Sequence, residues 1–126
     1  MYYHVWFGTK RRKHLLEGEI GPYIESLFRE IATEKSLRLV ACKCFVDHAH
    51  LLLELEARDE LPKAMQLLKG VSAYRIFKRI PSLKMDGHTN NLWRAGYGFR
   101  EVPADQVETV IRYIRTQEER PENFDW

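Results

Sequence analysis

Four segments of the chain carry the hydrophobic pattern of β-strands. The first is aromatic and β-branched, and the third places Leu51, Leu53 and Leu55 at every second position, as one face of a strand requires. In the fourth, Gly96 and Gly98 indicate a bulge or a close backbone contact. We predict strands at residues 2–9, 37–46, 48–56 and 92–102.

Two helices are predicted from apolar residues that recur every three or four positions. Gly21 and Pro22 open the first, because proline is tolerated in the first turn of a helix. The last helix is predicted to begin near Asp105, with Glu108 three residues further on as in a capping box.

A third helix is predicted between these two. It extends from about residue 61 to residue 80, with Asp59 as its candidate cap and Pro81 ending it. Small and polar residues then predict a loop over residues 82–91.

The order of the predicted elements is βαββαβ followed by one more helix. This is the order of the ferredoxin-like or RRM-like split βαβ fold of the α+β class, in which two helices cover one face of an antiparallel sheet. The other face is left for the extra C-terminal helix or for a ligand. With 126 residues, the chain is expected to form a single domain over residues 1–126.

Two histidines stand at the start of the third predicted strand. Because side chains alternate across a strand, His48 and His50 lie opposite the leucine face, on the accessible face that the two helices leave uncovered. Imidazoles at positions i and i+2 form a chelating pair, and their mutual repulsion favours the neutral, metal-binding form. On this spacing alone, the alternative is two unrelated surface histidines.

The two cysteines on the preceding strand could complete a zinc site with these histidines. A tight turn between the strands would place Cys44 opposite Ala49, and directly opposed residues share a face. Cys42 and Cys44 then lie on the core side, in phase with Val40 and Val46, although a slip of one residue would reverse this. We interpret both as small buried hydrophobes, and the lack of a disulfide framework indicates the reducing cytoplasm.

Charge is segregated along the chain although the net charge is only +2. Residues 10–13 are Lys-Arg-Arg-Lys, and residues 63–100 carry eight basic side chains against Asp86 alone. This distribution suits a polyanion bound on one side, but it is equally typical of solvated helix faces. No apolar run approaches the roughly 18 residues of a membrane helix, and the basic cluster follows the first apolar run, which is the wrong order for a secretory signal.

The last predicted helix carries Tyr113 and Gln117 four residues apart and therefore on one face. If this helix lies on the free face of the sheet, it could bring Gln117 to the histidine pair and Tyr113 beside it. Taken alone, a tyrosine on an amphipathic helix is usually a packing residue.

Together these motifs resemble one family. Residues 47–53, DHAHLLL, followed on a late helix by Tyr113 and Gln117, are similar to the HUH single-strand DNA transposases with one catalytic tyrosine, the IS-two-hundred-like, TnpA-type family. Val46 stands where the family usually has proline, which affects the stiffness of the turn more than the chemistry. The similarity covers nearly the whole chain and continues in residues 3–15, 69–79 and 92–102.

The resemblance implies that His48, His50 and Gln117 ligate one divalent ion, Mg²⁺ or Mn²⁺. Three neutral ligands would leave the ion its full charge to polarise a phosphate, and imidazole prefers Mn²⁺ over Mg²⁺. Tyr113 would attack the phosphorus and give a 5′-phosphotyrosine and a free 3′-hydroxyl, from which the strand can be rejoined without ATP. The implied function is metal-dependent cleavage and religation of single-stranded DNA at the hairpin ends of an insertion sequence.

The resemblance also implies partners. Members of the family recognise DNA hairpins as homodimers, often with the tyrosine helix of one subunit serving the histidines of the other, and the sequence leaves cis or trans placement open. A free phenol has a pKa of about 10, so nearby arginines would have to favour the phenolate. The residues expected to contact DNA are Lys10, Arg11, Arg12, Lys13, Lys69, Arg75, Lys78, Arg79, Arg112 and Arg115.

Three other functions are compatible with parts of this pattern. An RRM-like module would stack bases on aromatic residues, whereas the free face of the third strand offers histidines and glutamates. A catalytically inactive or domesticated relative that only binds hairpins would keep the same fold. A structural metal protein would need the cysteines on the histidine face, which the strand parity opposes.

Other tyrosines and histidines lack the expected partners. Tyr97 lies between two glycines and Tyr74 lies on the middle helix, but neither has a ligand partner at helical spacing. The remaining histidines, His4, His14 and His88, are predicted to be non-ligands.

Overall fold

One antiparallel sheet organises the molecule, and its strand order is β2-β3-β1-β4. The computed structural model describes residues 1–86 and 91–116, except for the side chains of residues 85 and 86. The strand order and the α+β class confirm the predicted ferredoxin-like fold. The strands are β1 at Tyr2–Gly8, β2 at Arg38–Cys44, β3 at His48–Glu54 and β4 at Gly98–Val102.

The helices divide between the two faces of this sheet. Two long helices, α1 and α2, pack on one face, and the short helix α4 packs on the other. Their bounds are Ile20–Glu34 for α1, Leu61–Arg79 for α2, Pro81–Asp86 for α3 and Val107–Thr116 for α4.

The main core lies between the sheet and the α1–α2 pair. Leu51 and Leu53 of β3 are completely buried there against residues such as Phe28 of α1 and Leu68 of α2. Burying one such side chain stabilises a protein by about 1.5–3 kcal/mol. The alternation of leucines along β3 therefore fixes which face of the strand meets the helices, and the histidines must face the other way.

A second, smaller core lies beneath α4. Val110 and Ile114 of that helix pack onto Leu52 of β3 and Val102 of β4. Ile114 and Leu52 are completely buried. The prediction that the last helix could lie on the free face of the sheet is thus confirmed.

Two segments that follow helix α2 differ from the prediction. The predicted loop over residues 82–91 begins with α3, because proline fits the first turn of a helix, so Pro81 both follows α2 and starts the next one. The predicted strand over residues 92–102 is shortened to β4. Trp93 makes only an isolated bridge to Thr9, and Gly96 adopts a left-handed φ of +83°, which interrupts the extended backbone.

The predicted helix caps are also wrong in detail. Asp59 lies inside a 3₁₀ turn, Arg58–Glu60, and the residue preceding α2 is Glu60, which makes no side-chain capping bond. Asp105 likewise lies in a 3₁₀ turn, Ala104–Gln106, ahead of α4. In both places a 3₁₀ turn leads into the helix, as is frequent at helix ends.

A register irregularity in β2 corrects one parity argument. The pairing of β2 with β3 shifts between Leu39 and Ala41, which places Val40 with the small core beneath α4. Val40 is therefore out of phase with the cysteines, contrary to the prediction. The cysteines themselves lie beyond the irregularity, where the predicted register holds and pairs Cys44 with Ala49.

Gly98 allows β1 and β4 to pair beneath an indole ring. Gly98 pairs with Trp6, and a Cβ atom at position 98 would overlap the Trp6 indole. We expect Gly98→Val to lower the free energy of unfolding by about 1–3 kcal/mol, as overpacking does. Gly70→Ala is the matched control, because a Cβ there meets no atom within 4 Å and alanine should stabilise helix α2 by up to about 1 kcal/mol. Urea denaturation of both variants measures the difference, and equal midpoints would contradict the role given to Gly98.

Within the described residues, no helix has the length and apolar character needed to cross a membrane.

Candidate active site

Two imidazoles at the start of β3 lie beneath α4 and a neighbouring ring. His48 is 2% exposed and His50 is fully buried, so the predicted accessible face is in fact covered. The Phe45 ring stacks on His48 with centroids 4.9 Å apart, and the Tyr113 ring of α4 lies 6.0 Å from that of His50. The prediction was wrong on this point because it considered the sheet alone. In the structure, α4 and the β2–β3 turn cover this face.

An aspartate holds the first imidazole. The carboxylate of Asp47 accepts a hydrogen bond from His48 Nδ1 at 2.7 Å. Its second oxygen accepts from the Arg12 guanidinium at 3.2 Å. A carboxylate on Nδ1 fixes the ring orientation and keeps the lone pair of the imidazole on Nε2, which is the arrangement that metal-binding histidines commonly show.

The path of the chain after β1 brings Arg12 to that carboxylate. Arg11 and Arg12 both have left-handed backbone conformations, with φ of 59° and 55°, and each such residue costs roughly 1 kcal/mol or more. A Cβ atom at Gly8 would lie 2.8 Å from Arg12 Cδ, so a larger residue there would force the arginine side chain to shift. The Arg12–Asp47 contact thus occurs beside two left-handed residues and a glycine.

A third histidine lies beside the second imidazole. His4 Nε2 and His50 Nδ1 are 2.9 Å apart, and the two rings stack with centroids 5.1 Å apart. The register of β1 against β3 produces this contact, because His4 pairs with Leu52 and its side chain therefore shares the face of His50. The sequence-based prediction left His4 without a partner, and the structure corrects this.

Burial keeps the His4–His50 pair neutral. Burial, followed by the charges of the neighbouring histidines, lowers the pKa of His50 to about 2. Burial, with a smaller effect of the Arg100 charge, lowers the pKa of His4 to about 4. Both imidazoles are therefore uncharged at neutral pH and can act as lone-pair donors.

Tyr113 completes the group of rings at this site. Its ring lies 6.0 Å from the rings of both His4 and His50, each in an edge-on arrangement. A pocket of about 310 Å³ opens beside it between the sheet and α4. The residues lining this pocket are His4, Trp6, Arg100, Gln106, Thr109, Val110 and Tyr113.

The donor set of the histidine pair fits a divalent ion. The Nε2 atoms of His48 and His50 are buried, their rings lie 5.4 Å apart, and the Nδ1 atom of each is engaged by another residue. Gln117, the third predicted ligand, lies outside the described residues. Within residues 1–86 and 91–116, no group of three or more His, Cys, Asp or Glu side chains is arranged to hold a metal.

The cysteines lie on the other face of the sheet, as predicted. Cys44 is part of the main core and Cys42 packs against it. Burial raises the pKa of the Cys42 thiol to about 11 and that of Cys44 well above its ordinary value, so neither is poised to act as a thiolate ligand. A shared zinc site with the histidines is therefore excluded by geometry.

Comparison with known proteins decides the family. The sequence model of the family described as "Transposase IS200 like" matches residues 1–117, nearly the whole chain. The chain belongs to the IS200-like transposase family. This membership confirms the resemblance drawn from the histidine and tyrosine motifs.

Individual relatives of this transposase agree. It is 30% identical over 118 residues to the ISDra2 transposase TnpA of Deinococcus radiodurans, which covers 94% of this chain and 84% of the relative. It is 27% identical over 115 residues to the transposase for insertion sequence element IS200 of Salmonella typhimurium, covering 91% and 75% of the two chains.

Solved structures show the same architecture. A candidate transposase of Deinococcus radiodurans R1 superposes with a TM-score of 0.75 and 33% identity, covering 94% of this chain and 91% of that one. A REP-associated tyrosine transposase bound to a REP hairpin superposes with a TM-score of 0.59 and 12% identity over 90% and 63% of the two chains, a likeness of fold alone.

The basic residues that were predicted to contact DNA fall into three locations in this transposase. Lys10, Arg11, Arg12 and Lys13 follow β1 at the end of the sheet that carries Asp47. Arg112 and Arg115 are exposed on α4, beside Tyr113. The other predicted DNA-binding residues, Lys69, Arg75, Lys78 and Arg79, lie on α2, on the opposite face of the sheet.

Two of the basic residues on α2 are engaged within the protein. The Arg75 guanidinium bonds the carboxylates of Glu30 and Glu34, each at 2.7 Å. The Lys69 ammonium donates to the carbonyl oxygen of Arg94 at 2.9 Å and to that of Gly96, and burial lowers its pKa. Both side chains therefore hold parts of the fold together.

The other two residues of α2 that were predicted to contact DNA lie over aromatic rings. Lys78 and Arg79 are exposed, with the Lys78 ammonium 5.7 Å from the Tyr74 ring centre and the Arg79 guanidinium 5.1 Å from that of Tyr23. Tyr74 is 65% exposed, which is high for an aromatic residue. Exposed aromatic and basic side chains that alternate in this way are typical of nucleic-acid surfaces.

Tyr97 and His14, two of the other candidates, make contacts outside the group of rings around His50. Tyr97 packs on Phe99 and contacts the main core from the sheet face opposite α4. His14 is exposed and lies 3.8 Å from Glu17. His88 lies outside the described residues.

Proposed function

We propose that this transposase cleaves and rejoins single-stranded DNA through a covalent bond between Tyr113 and a 5′-phosphate. The observation that carries the proposal is the edge-on contact of Tyr113 with His50, at 6.0 Å between ring centres, beside an open pocket. A phenol and a neutral imidazole pair lie together on the face of the sheet that the fold leaves to α4. Family membership supports DNA strand transfer as the reaction in which this arrangement is used.

The transfer step conserves the bond energy of the DNA backbone. The Tyr113 oxygen loses its proton and attacks the phosphorus, a new P–O bond to tyrosine forms, and the P–O3′ bond breaks. The departing 3′ oxygen takes up a proton and becomes a free hydroxyl. A second 3′-hydroxyl can then reverse the step and join another strand, so no external energy source is required.

His48, His50 and Gln117 would hold the divalent ion, Mg²⁺ or Mn²⁺. Bound there, the ion would polarise the scissile phosphate and compensate its growing charge. Asp47 orients His48 by accepting its Nδ1 hydrogen bond, and Arg12 orients Asp47 in turn. These contacts orient the His48 ring before DNA arrives, which lowers the cost of assembling the site.

The DNA strand next to the scissile phosphate has a defined path in this proposal. Arg112 and Arg115 on α4 and the basic residues 10–13 flank the site and would contact its phosphates. The pocket beside Tyr113 would receive one unpaired base, because the Trp6 ring lines it and bases stack on aromatic side chains. Arg100, on the rim of the same pocket, adds positive charge.

Hairpin recognition belongs to a different surface in this proposal. The REP-associated transposase was solved bound to a hairpin, and the present chain shares its fold. Tyr74, Lys78 and Arg79 form an exposed basic and aromatic surface on α2, away from Tyr113. We assign the hairpin backbone to this surface and the strand to be cut to the face beneath α4.

Substitution of the exposed cations on α2 tests this division. We expect the double variant Lys78→Ala/Arg79→Ala to bind hairpin DNA more weakly and to lower the slope of log K against log salt by roughly 0.9 for each lost phosphate contact. Arg75→Ala on the same helix should change the slope less, because Glu30 and Glu34 already hold that guanidinium. Fluorescence anisotropy at several salt concentrations measures both, and equal slopes in the two variants would contradict the assignment.

We propose that the tyrosine helix can serve the histidines of its own chain, since the rings of Tyr113 and His50 lie 6.0 Å apart within one chain. A homodimer that exchanges these helices would permit the trans arrangement as well. Mixing a subunit that lacks the tyrosine with one that lacks a histidine distinguishes them, since activity is restored only when the two residues act across subunits.

A covalent adduct tests the proposed function directly. The protein is incubated with Mn²⁺ and single-stranded DNA from the flanks of its own gene, and a denaturing gel shows whether a protein–DNA species persists. An adduct that contains the 5′ end of the cut strand is expected. Hairpin binding without any adduct would instead identify a catalytically inactive or domesticated hairpin-binding relative.

A further inference from the structure

His4 contacts the Nδ1 atom of His50, just as Asp47 contacts the Nδ1 atom of His48. Asp47 engages His48 at Nδ1, and His4 engages His50 at Nδ1. In both rings the Nε2 atom is shielded from solvent. Each candidate ligand is therefore engaged through Nδ1, by a carboxylate in one ring and by an imidazole in the other.

The hydrogen bond between the histidines has only two possible directions when both rings are neutral. If His4 Nε2 carries the proton, His50 Nδ1 is the acceptor and its own proton must sit on Nε2, where it blocks metal binding. If His50 Nδ1 carries the proton, His4 Nε2 is the acceptor and His50 Nε2 has a free lone pair. The position of one proton thus decides whether His50 can be a ligand.

We propose that His4 is a positioning residue that accepts the Nδ1 proton of His50 and so holds His50 in the tautomer that binds the divalent ion. The inference rests on the proposed metal site. It makes His4 part of the machinery without making it a ligand, because its Nε2 atom is already directed at His50 from 2.9 Å.

The surroundings of His4 suit an acceptor that does not itself ionise. His4 is 1% exposed, and its ring packs edge-on against Trp6 and Tyr113 at 5.1 and 6.0 Å. In the proposed tautomer its remaining proton is on Nδ1, a buried atom without a hydrogen-bond acceptor among residues 1–86 and 91–116. Among the described residues, His4 Nδ1 lacks such a partner in either direction of the His4–His50 hydrogen bond, so its surroundings do not favour the opposite tautomer.

Nuclear magnetic resonance of the unmodified, metal-free protein tests the tautomers. Long-range ¹H–¹⁵N spectra of the histidine rings distinguish a proton on Nδ1 from one on Nε2. We expect the Nδ1-protonated form for both His4 and His50 at neutral pH. Finding His4 protonated at Nε2 would overturn the proposal, and this outcome does not depend on whether any variant folds.

Two substitutions at one position provide the second test. His4→Leu removes the acceptor, and we expect it to weaken Mn²⁺ binding by roughly 10–100-fold, as loss of a residue that orients a ligand does. His4→Gln can place its amide oxygen near the Nε2 position, so it should restore most of the affinity. The exposed His14 supplies the control, since His14→Leu should leave Mn²⁺ affinity unchanged.

The readouts separate this inference from the proposed function. Mn²⁺ binding is followed by electron paramagnetic resonance of the free ion, without DNA and without turnover. Unmodified protein that binds no Mn²⁺ would contradict the metal site itself. If the unmodified protein binds Mn²⁺ and His4→Leu binds it equally tightly, only the role of His4 is contradicted.

Discussion

Tyr113→Phe is expected to abolish the covalent protein–DNA adduct while hairpin binding persists. The substitution removes only the phenolic oxygen and keeps the ring that lies 6.0 Å from His4 and from His50. Without a nucleophile, cleavage should fall by roughly 10⁴-fold or more, the scale on which loss of a catalytic nucleophile acts. A denaturing gel with end-labelled DNA measures the adduct, and anisotropy with the same hairpin measures binding.

A second tyrosine supplies the control for that experiment. Tyr97→Phe makes the same chemical change at a residue that packs on Phe99 and contacts the main core. It should leave the adduct intact. If Tyr113→Phe forms an adduct at the rate of the unmodified protein, then another side chain is the nucleophile and the assignment of the site to α4 is wrong.

The sequence alone predicts the part of the site that lies on strand β3. Alternation along β3 separates Leu51 and Leu53 from His48 and His50, and burial of the leucines in the main core leaves the histidines no other face. Tyr113 required one further step, the placement of α4 on that face, which burial of its apolar residues Val110 and Ile114 makes favourable. Both steps use local periodicity, which a sequence displays directly.

What the sequence did not predict depends on contacts between distant segments. His4 stands in a strand whose core residues are Tyr3, Val5 and Phe7, so parity alone already puts it on the other face. The contact of His4 with His50 follows from the strand register, which pairs His4 with Leu52. The predicted ferredoxin-like fold already places β1 beside β3. The contact of His4 with His50 could have been predicted from that neighbourhood.

The contact of Arg12 with Asp47 could not be predicted from the sequence, for a different reason. It occurs where two successive residues are left-handed and a glycine lies beneath the arginine side chain, and a hydrophobic pattern encodes none of these features. Residues 10–13 were predicted to bind DNA by charge alone. The structure gives one of them a partner within the site, so the local charge density available to DNA is lower than the sequence suggests.

Replacement of His48 by alanine is expected to weaken metal binding strongly and to abolish cleavage. His48→Ala removes one of two imidazoles in the proposed donor set, and Mn²⁺ affinity should fall by at least about 100-fold. The Asp47 carboxylate loses its bond to Nδ1 but keeps its contact with Arg12, so the turn between β2 and β3 retains an anchor. Thermal unfolding followed by circular dichroism verifies that the variant is folded before its Mn²⁺ affinity is interpreted.

The hairpin surface supplies the internal comparison for this variant. His48→Ala should bind hairpin DNA as the unmodified protein does, because Lys78 and Arg79 lie across the sheet from the imidazoles. His14→Ala, at an exposed histidine, should leave metal binding, cleavage and hairpin binding unchanged. Cleavage that survives in His48→Ala, or that proceeds in the unmodified protein after chelation of divalent ions, would show that the phosphate is activated without the histidine pair. The imidazoles would then be buried core residues, and the reaction would have to rest on Tyr113 and the arginines of α4.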